Sequence, residues 1–385
     1  MSVVPEYTSS SGDFRSDTFT IPTPEIWQTV AQASLGDSIY EEDRDTTLLE
    51  QRVSKELLGG RMYGNLEAQG LFCVSTTMSN QLAIRTHLNF APPYSVLCDD
   101  RAHVYVDEGA GIAVLSQALV RPVKASNDRF LTLEDIKENY VPDIGDIHLA
   151  PTKLICLENT LHGMCFPYDE LKRISDWCHE EGIKLHLDGA RLWNAACASS
   201  DRSPETYLRD IAALVDSVSV CFSKSLGAPI GSMLVGGPRF RAKARHLQKQ
   251  QGGGIRQAGF IARIANHCLN SNFPKTITEV SRATRAFWHD LHSTIKRDYG
   301  MNLQLAHPVE TNFIFVDLAK SGINLDKFLE IGEQNGLRLF DGRLAFHYQN
   351  IGSESLCALK KTFDDVASYY QKHDYKPGER SARIY

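Results

Sequence analysis

Apolar strand-like segments alternate with amphipathic helix-like segments up to about residue 270 of the 385-residue chain. "GLFCVST" precedes "MSNQLAIRTHL", "KLICLENT" precedes "YDELKRISDWCHEEG", and the strand-like segments "KLHLDGARL" and "SVSVCFSK" follow. This alternation is typical of an α/β sheet with helices on both faces. We therefore predict the α/β fold class, with a mostly parallel sheet flanked by helices.

Beyond about residue 270 the pattern changes to a long helix ("KTITEVSRATRAFWHDLHSTIKRDYG"), a strand ("TNFIFVDLA"), a helix ("LDKFLEIGEQNG") and a strand ("GRLAFHYQ"). This order predicts a smaller α+β C-terminal domain. We divide the chain into an N-terminal segment that contributes to the active site and the small lobe (1–44), a large domain (45–272) and a small domain (273–385).

The composition excludes several classes of protein. A formal net charge of -6 leaves no basic excess to displace phosphate counterions, so we expect no nucleic-acid partner. Apolar runs are shorter than the roughly 18 residues of a membrane span, and the N-terminal "MSVVPEYTSSSGDFRSD" lacks the pattern of a signal peptide. The 9 cysteines form no C-x-x-C pair. We therefore expect a cytoplasmic protein with no metal site and no membrane contact.

A lysine stands at the end of an apolar strand in "SVSVCFSKSLGAPIGSMLVGG". The strand runs into Lys224, and an ammonium group is costly to bury. Lys224 is therefore either a solvated lysine at a strand end or a partly dry lysine whose amine can attack a carbonyl. The strand alone does not decide between these alternatives.

Three other motifs also lie near predicted strand ends. "STTMSNQLAI" opens a helix, where the Ser75 and Thr77 hydroxyls and the backbone N–H groups can bind an anion or simply cap the helix. "DRAHVY" places His103 in a loop after a strand, where a lone histidine is usually an ordinary surface or core residue. In "LHLDGARLWN", Asp188 lies where open α/β sheets bind ligands, or it caps the next helix.

Together these motifs indicate one ligand. It would carry an anionic group for the turn at Ser75, a carbonyl for Lys224, a basic nitrogen for Asp188 and a flat ring for His103. Pyridoxal 5'-phosphate (PLP) has all four parts. A carboxylate beside its pyridine nitrogen keeps that nitrogen protonated and makes the ring an electron sink. We therefore predict PLP as the cofactor and Lys224 as the amine that binds its aldehyde as a Schiff base.

Seven motifs in order resemble the low-specificity L-threonine aldolases, most closely the fungal ones, among the fold type I PLP enzymes. They are "GDSIYEED", "STTMSNQLAIRTHL", "DDRAHVY", "LENTLHG", "LHLDGARLWNA", "SVCFSKSLGAPIGS" and "QQGGGIRQ". The likeness runs from Asp13 to Gln349. It implies the PLP-dependent transferase fold of type I.

The resemblance implies roles around the cofactor. Lys224 matches the Schiff-base lysine, Asp188 the partner of the pyridine nitrogen, and His103 the histidine that stacks on the ring. The turn 75–77 matches the phosphate-binding turn. Arg256 of "GGGIRQ" resembles an arginine that reaches the cofactor phosphate of a neighbouring subunit. The family is commonly a tetramer built from dimers, so active sites shared between subunits are implied.

The resemblance also implies roles around the substrate. Arg191 and Arg343 match arginines that clamp the substrate carboxylate, for which a planar fork is better suited than lysine. Ser16 and Tyr40 match positions near the substrate. His162 of "LENTLHG" lies beside the loop where the family carries a second active-site histidine, and we count it among the candidate catalytic residues.

Two stretches depart from the family pattern. The phosphate turn usually reads Ser-Gly-Thr, but threonine stands at Thr76. Because threonine resists backbone geometry that glycine permits, we expect the turn to sit differently or to bind PLP less tightly. The loop Tyr105–Gly111, "YVDEGAG", exchanges small residues and places Asp107 near the substrate side. These changes bear on substrate identity more than on PLP use, as in a paralogue recruited to another pathway, such as fungal secondary metabolism.

The resemblance implies an aldolase that cleaves L-threonine, L-allo-threonine or a related β-hydroxy-α-amino acid to glycine and an aldehyde. His103, or a water positioned by a histidine, would take the β-hydroxyl proton. Fungal alanine racemases of peptide-toxin pathways resemble the same family and need the same Lys224 and Asp188, so racemisation is an alternative. A homologue that lacks PLP because of its altered turn is a third.

Overall fold

The computed structural model describes residues 10–375. Residues 1–9, part of the stretch in which we expect no signal peptide, lie outside the described residues, as do residues 376–385 of the predicted small domain. The strands are β1 Arg61–Met62, β2 Leu66–Glu67, β3 Gln69–Cys73, β4 Ser95–Asp99, β5 Leu119–Val123, β6 Thr152–Glu158, β7 Lys184–Gly189, β8 Ser217–Cys221, β9 Ser232–Gly236, β10 Leu305–His307, β11 Phe313–Val316 and β12 Arg343–Ala345.

The large sheet has 7 strands in the order β3-β9-β8-β7-β6-β4-β5. β9 is antiparallel to both of its neighbours, β3 and β8, whereas the pairs from β8 to β5 are parallel. All residues of β8 and β9 are buried, and their polar members are small serines. The mostly parallel α/β sheet is confirmed, and the carboxyl ends of β6, β7 and β8 meet at one edge.

Helices flank this sheet and continue through the C-terminal part of the chain. They are α1 Pro24–Val30, α2 Arg44–Gln51, α3 Thr76–His87, α4 His103–Val106, α5 Gly111–Ser116, α6 Leu133–Asn139, α7 Tyr168–Glu180, α8 Leu192–Ala198, α9 Pro204–Ala212, α10 Pro238–Gln250, α11 Gly259–Asn272, α12 Lys275–Tyr299, α13 Leu325–Gln334 and α14 Ser353–Tyr370. Helix α3 packs against β3, β7, β8 and β9, so the turn at its start lies at the same edge of the sheet.

A second, antiparallel sheet of 3 strands in the order β10-β11-β12 lies in the C-terminal part, and we call it the C-terminal sheet. Its apolar core contains Phe14 beside residues from Val280 to Ala367. A larger apolar core contains buried residues from Ile26 to Ile277, and smaller apolar clusters lie apart from it. The domain bounds at residues 44 and 272 stay a prediction.

Across residues 10–375, no helix combines the length and the apolar character that a bilayer crossing requires.

Candidate active site

Asp188 lies buried near the carboxyl end of β7. Its Oδ1 accepts a hydrogen bond of 2.9 Å from the Ala190 backbone N–H, and its Oδ2 accepts one of 2.7 Å from the Asn80 side-chain amide. Arg191 is the N-cap residue of α8 and has no side-chain capping bond. Asp188 therefore does not cap α8, and its carboxylate is fixed at the sheet edge where open α/β folds bind ligands.

His103 begins the one-turn helix α4 rather than lying in a loop, and its backbone N–H donates to the half-buried Glu158 carboxylate at 2.8 Å. Its Nδ1 lies 2.8 Å from Oε1 of Glu108. Because a carboxylate only accepts, Nδ1 carries the hydrogen. Burial opposes the charged imidazolium, but the hydrogen bond to Glu108 and the charge of Asp188 outweigh it and raise the pKa of His103 above 6.5.

Asn80 joins His103 and Asp188 through one buried network. Its side-chain amide donates to Glu108 at 2.9 Å and to Asp188 at 2.7 Å. The Gln81 amide donates to the second Glu108 oxygen at 2.6 Å. Ligand atoms of His103, Glu108 and Asp188 all lie within 4.8 Å of one another, a spacing that a metal ion could share. Because these atoms already hydrogen-bond to each other or to amides, the group is better described as a positioning network.

Lys224 follows β8 in a turn closed by a 2.9 Å hydrogen bond from the Gly227 backbone N–H to its carbonyl. Its side chain is half-buried, and its charge acts on the Asp17 and Glu158 carboxyls. Burial and then the nearby Asp188 carboxylate raise the pKa of Glu158 to about 7. The lysine thus lies among carboxyl groups, as a partly dry amine would.

The turn 75–77 forms the start of α3. Ser75 is the N-cap residue, and its hydroxyl accepts a 3.1 Å hydrogen bond from the Met78 N–H. Thr76 is the first residue of the helix and is not among the residues with positive φ, so it needs no glycine-like conformation there. Whether the turn sits differently from a Ser-Gly-Thr turn, or binds PLP less tightly, stays a prediction.

The Thr76 hydroxyl provides the test of whether this turn fits a phosphate. Its Oγ1 is buried and has no hydrogen-bond partner among residues 10–375. Buried hydroxyls are normally satisfied, and the N–H groups at the start of a helix favour an anion. Thr77 is half-buried beside it. The turn therefore suits the phosphate of PLP.

The altered loop after His103 has two residues in a left-handed backbone conformation, and one of them is the alanine Ala110. Gly109 and Ala110 have φ of 60° and 58°, and a Cβ on Gly111 would lie 2.6 Å from the Gln81 side chain. A close contact therefore prevents a side chain at Gly111 but not at Gly109. Asp107 is exposed.

Arg191 is held by Asp17, a residue that the sequence reasoning missed. Its Nε and Nη2 donate to the two Asp17 oxygens at 2.9 and 2.7 Å. Asp17 also accepts hydrogen bonds from Ser225 at 3.0 Å and from Asn312 at 3.2 Å. Burial opposes the charged carboxylate, but Arg191 outweighs it and lowers the pKa of Asp17 below its usual range.

We expect Asp17→Asn to destabilise the protein by about 3 kcal/mol and to raise KM for an amino-acid substrate, because the half-buried Arg191 guanidinium loses the buried carboxylate that neutralises it. Since the folded pKa of Asp17 lies below the unfolded value of 3.8, the ion pair stabilises above that pH and is lost on acidification. Urea unfolding at pH 7 and pH 3 measures the effect. An equal free-energy loss at both pH values would contradict it.

Arg343 and Ser16 lie close to this ion pair. The Nη2 of Arg343, on β12, donates to the Arg15 carbonyl at 2.8 Å. Ser16 is buried and caps the short helix Asp17–Phe19, accepting a 3.3 Å hydrogen bond from the Thr18 N–H. The structure thus gathers Ser16, Arg191 and Arg343 at one place.

His162 lies in the loop after β6, with its Nδ1 3.1 Å from Nε2 of His307. Burial, followed by His307 and the positive charges of Arg101, Arg343 and Arg191, lowers the pKa of His162 to about 3. His162 is therefore neutral at ordinary pH. No local sequence signal marks His307, because it is 145 residues away along the chain.

Tyr40 and Arg256 lie apart from the other predicted site residues. Tyr40 is 70% exposed, and Arg256 donates to Asp37 at 2.9 Å. The Arg256 guanidinium lies 6.0 Å from the centre of the Tyr40 ring. No hydrogen bond, ion pair or ring contact within residues 10–375 joins this pair to Asp188 or Lys224. The position of Tyr40 near the substrate and the role of Arg256 at a neighbouring subunit's cofactor phosphate both stay predictions.

A protein-family model described as "beta-eliminating lyase" matches residues 13–321 of the chain. The chain belongs to the beta-eliminating lyase family. Members of this family depend on PLP, in agreement with the cofactor predicted from the sequence.

Relatives of this beta-eliminating lyase are similar over almost their whole length. A low-specificity L-threonine aldolase of Eremothecium gossypii is 48% identical, covering 96% of this chain and 91% of its own. Its Saccharomyces cerevisiae counterpart is 47% identical over 96% and 90% of the two chains. An alanine racemase of Cochliobolus carbonum is 33% identical over 93% and 88%. The resemblance to the fungal aldolases is confirmed, and the racemase is the more distant relative.

A solved structure of a threonine aldolase from Leishmania major has the same fold as this beta-eliminating lyase. It has a TM-score of 0.71 and 22% identity and covers 92% of this chain and 99% of its own. The fold type I prediction is therefore confirmed.

Proposed function

We propose that this PLP-dependent lyase is an L-threonine aldolase. It cleaves L-threonine, L-allo-threonine or a related β-hydroxy-α-amino acid to glycine and an aldehyde. The observation that carries the proposal is the buried network from His103 through Glu108 and Asn80 to Asp188, at the sheet edge that also bears Lys224. The similarity to fungal aldolases supports the choice of substrate.

The residues of the sheet edge suit PLP. Asp188 would face its protonated pyridine nitrogen, His103 its ring, Thr76 with the α3 N–H groups its phosphate, and the Lys224 amine its aldehyde. When bound, PLP supplies an electron sink for the electron pair released at the substrate Cα. Asn80 keeps the Asp188 carboxylate oriented by donating to Oδ2.

The side of the site that carries Arg191 and Arg343 suits the carboxylate of an amino acid. The Asp17 carboxylate engages Nε and Nη2 of Arg191, which leaves the Nη1 side of the guanidinium for the substrate carboxylate, with Arg343 nearby. Cleavage also requires a base for the β-hydroxyl proton. Burial lowers the pKa of His103 but the hydrogen bond to Glu108 raises it above its ordinary value and occupies Nδ1, whereas the pKa of about 3 keeps His162 neutral. We therefore propose His162 for this role, directly or through a water, in preference to His103.

Incubation with L-threonine and PLP should release equimolar acetaldehyde and glycine, measured with a coupled alcohol dehydrogenase and by amino-acid analysis. L-allo-threonine and L-phenylserine test related substrates, and heat-treated protein is the control. If none of the three is cleaved above the control, the proposed function is wrong.

The same incubation with L-alanine tests racemisation, because the two reactions share Lys224 and Asp188. Chiral chromatography should detect little D-alanine. D-alanine formation faster than threonine cleavage would show that the protein is an alanine racemase and not a threonine aldolase.

We also propose a cytoplasmic homotetramer built from dimers, acting in glycine synthesis. The exposed Tyr40 beside Arg256 supports a site completed by a second copy. The cysteine pattern supports a reducing compartment.

A further inference from the structure

The end of β10 and the connection from it to β11 hold the loop that carries His162. We call residues His307, Glu310 and Thr311 the clamp. The Thr311 hydroxyl donates to the Gly163 carbonyl at 2.7 Å, and Glu310 accepts from the Cys165 backbone N–H at 2.7 Å. The clamp therefore ties the C-terminal sheet to the end of the large sheet where the substrate would bind.

The loop that carries His162 has a backbone conformation that would be unfavourable without the contacts of the clamp. His162 has a φ of 49°, which is uncommon for a residue with a side chain, and Gly163 has a φ of 77°. A Cβ on Gly163 would lie 3.0 Å from Cβ of Phe313. The contacts of the clamp therefore determine where the His162 ring points.

Within the clamp, His307 is the residue that contacts the His162 ring. The 3.1 Å contact joins Nε2 of His307 to Nδ1 of His162, and the Phe315 ring lies 5.6 and 5.2 Å from the two imidazoles. Burial contributes most to the lowered pKa of both histidines and favours the neutral rings. Between two neutral rings, one of the two facing nitrogens carries the hydrogen and the other accepts it. Nε2 of His162 has no hydrogen-bond partner within residues 10–375.

We propose that His307 is a positioning residue that accepts a hydrogen bond from Nδ1–H of His162 and so presents the lone pair of Nε2 to the substrate. The inference rests on the proposed aldolase function. When the β-hydroxyl O–H bond breaks, the proton forms an N–H bond at Nε2, and His162 carries the positive charge. His307 continues to accept from Nδ1 throughout and stabilises that charge without touching the substrate.

His307→Phe removes the acceptor, and His307→Gln keeps one near the same position. We expect His307→Phe to lower kcat for L-threonine about tenfold, the effect of one lost hydrogen bond to a group that becomes charged, with KM within about twofold. His307→Gln should recover most of kcat. His148→Phe, at an exposed histidine, is the matched control. Wild-type kcat in His307→Phe, or no recovery in His307→Gln, would overturn the proposal.

The hydrogen position in the resting protein provides a second test that needs no turnover. Histidine ¹⁵N chemical shifts of the PLP-loaded protein, assigned with His162→Asn, should show Nδ1 protonated and Nε2 unprotonated at pH 7.5. His307→Phe should yield a mixture of both forms. The opposite tautomer in the wild type overturns the role of His307 even if threonine is cleaved. If threonine is not cleaved, the aldolase function fails, while the shifts still decide the His162–His307 pair.

Discussion

Lys224→Ala should lose covalent attachment of PLP and nearly all turnover of L-threonine, by a factor on the order of 10³ or more. The loss exceeds that of a hydrogen bond because the amine that binds the aldehyde disappears. The fold should survive, since the turn at residue 224 is closed by a backbone hydrogen bond that alanine retains. Mass spectrometry after borohydride reduction and initial rates of acetaldehyde release measure the two effects.

Lys224→Arg is the matched control for charge. Its guanidinium stays protonated and cannot act as a nucleophile, so it should fail as alanine does. A PLP adduct fixed by borohydride in Lys224→Ala, together with wild-type turnover, would show that another amine performs this role.

Asp188→Asn should keep PLP attached but lose turnover by a factor on the order of 10² to 10³. A neutral amide cannot hold the pyridine nitrogen protonated, so the ring becomes a poorer electron sink. The carbonyl oxygen of the introduced amide could still accept from Asn80, so the network need not collapse. Absorbance of bound PLP and kcat are measured together. Asp176→Asn, at an exposed aspartate of α7 that pairs with Lys172, is the control for the substitution itself.

An Asp188→Asn protein with wild-type turnover would remove this carboxylate from the mechanism. An Asp188→Asn protein that cannot bind PLP would show that this carboxylate contributes to the affinity for PLP instead. Compared with Lys224→Ala, the variant therefore separates attachment of the cofactor from its electronics.

The sequence alone predicted the strands and helices whose apolar residues recur with a regular spacing. Alternating apolar segments identified β7 and β8, and the positions of Asp188 and Lys224 at their ends followed from that pattern. The backbone at Thr76 has no such pattern, and only the structure shows that this residue begins α3 without a positive φ.

Contacts between distant parts of the chain could not be predicted from a single sequence. Asn80 and Asp188 are 108 residues apart, and Asp17 and Arg191 are 174 apart. Such polar pairs have no periodic signal, and only the match of Ser16 to a family position indicated that the first residues of the chain contribute to the substrate side. The same limitation hid the contact between His162 and His307.

The position of the N-terminal segment has a consequence for biosynthesis. The Asp13 carbonyl accepts hydrogen bonds from His347 at 3.0 Å and Asn350 at 2.9 Å, and the Ala345 N–H donates to the Phe14 carbonyl at 2.8 Å. Asp17 thus depends on a stretch translated more than 300 residues later. A nascent chain can assemble the sheet around Asp188 while still on the ribosome, but its carboxylate pocket waits until residue 350 has emerged. We expect premature termination before that point to leave Arg191 without an anchored Asp17 to orient its guanidinium.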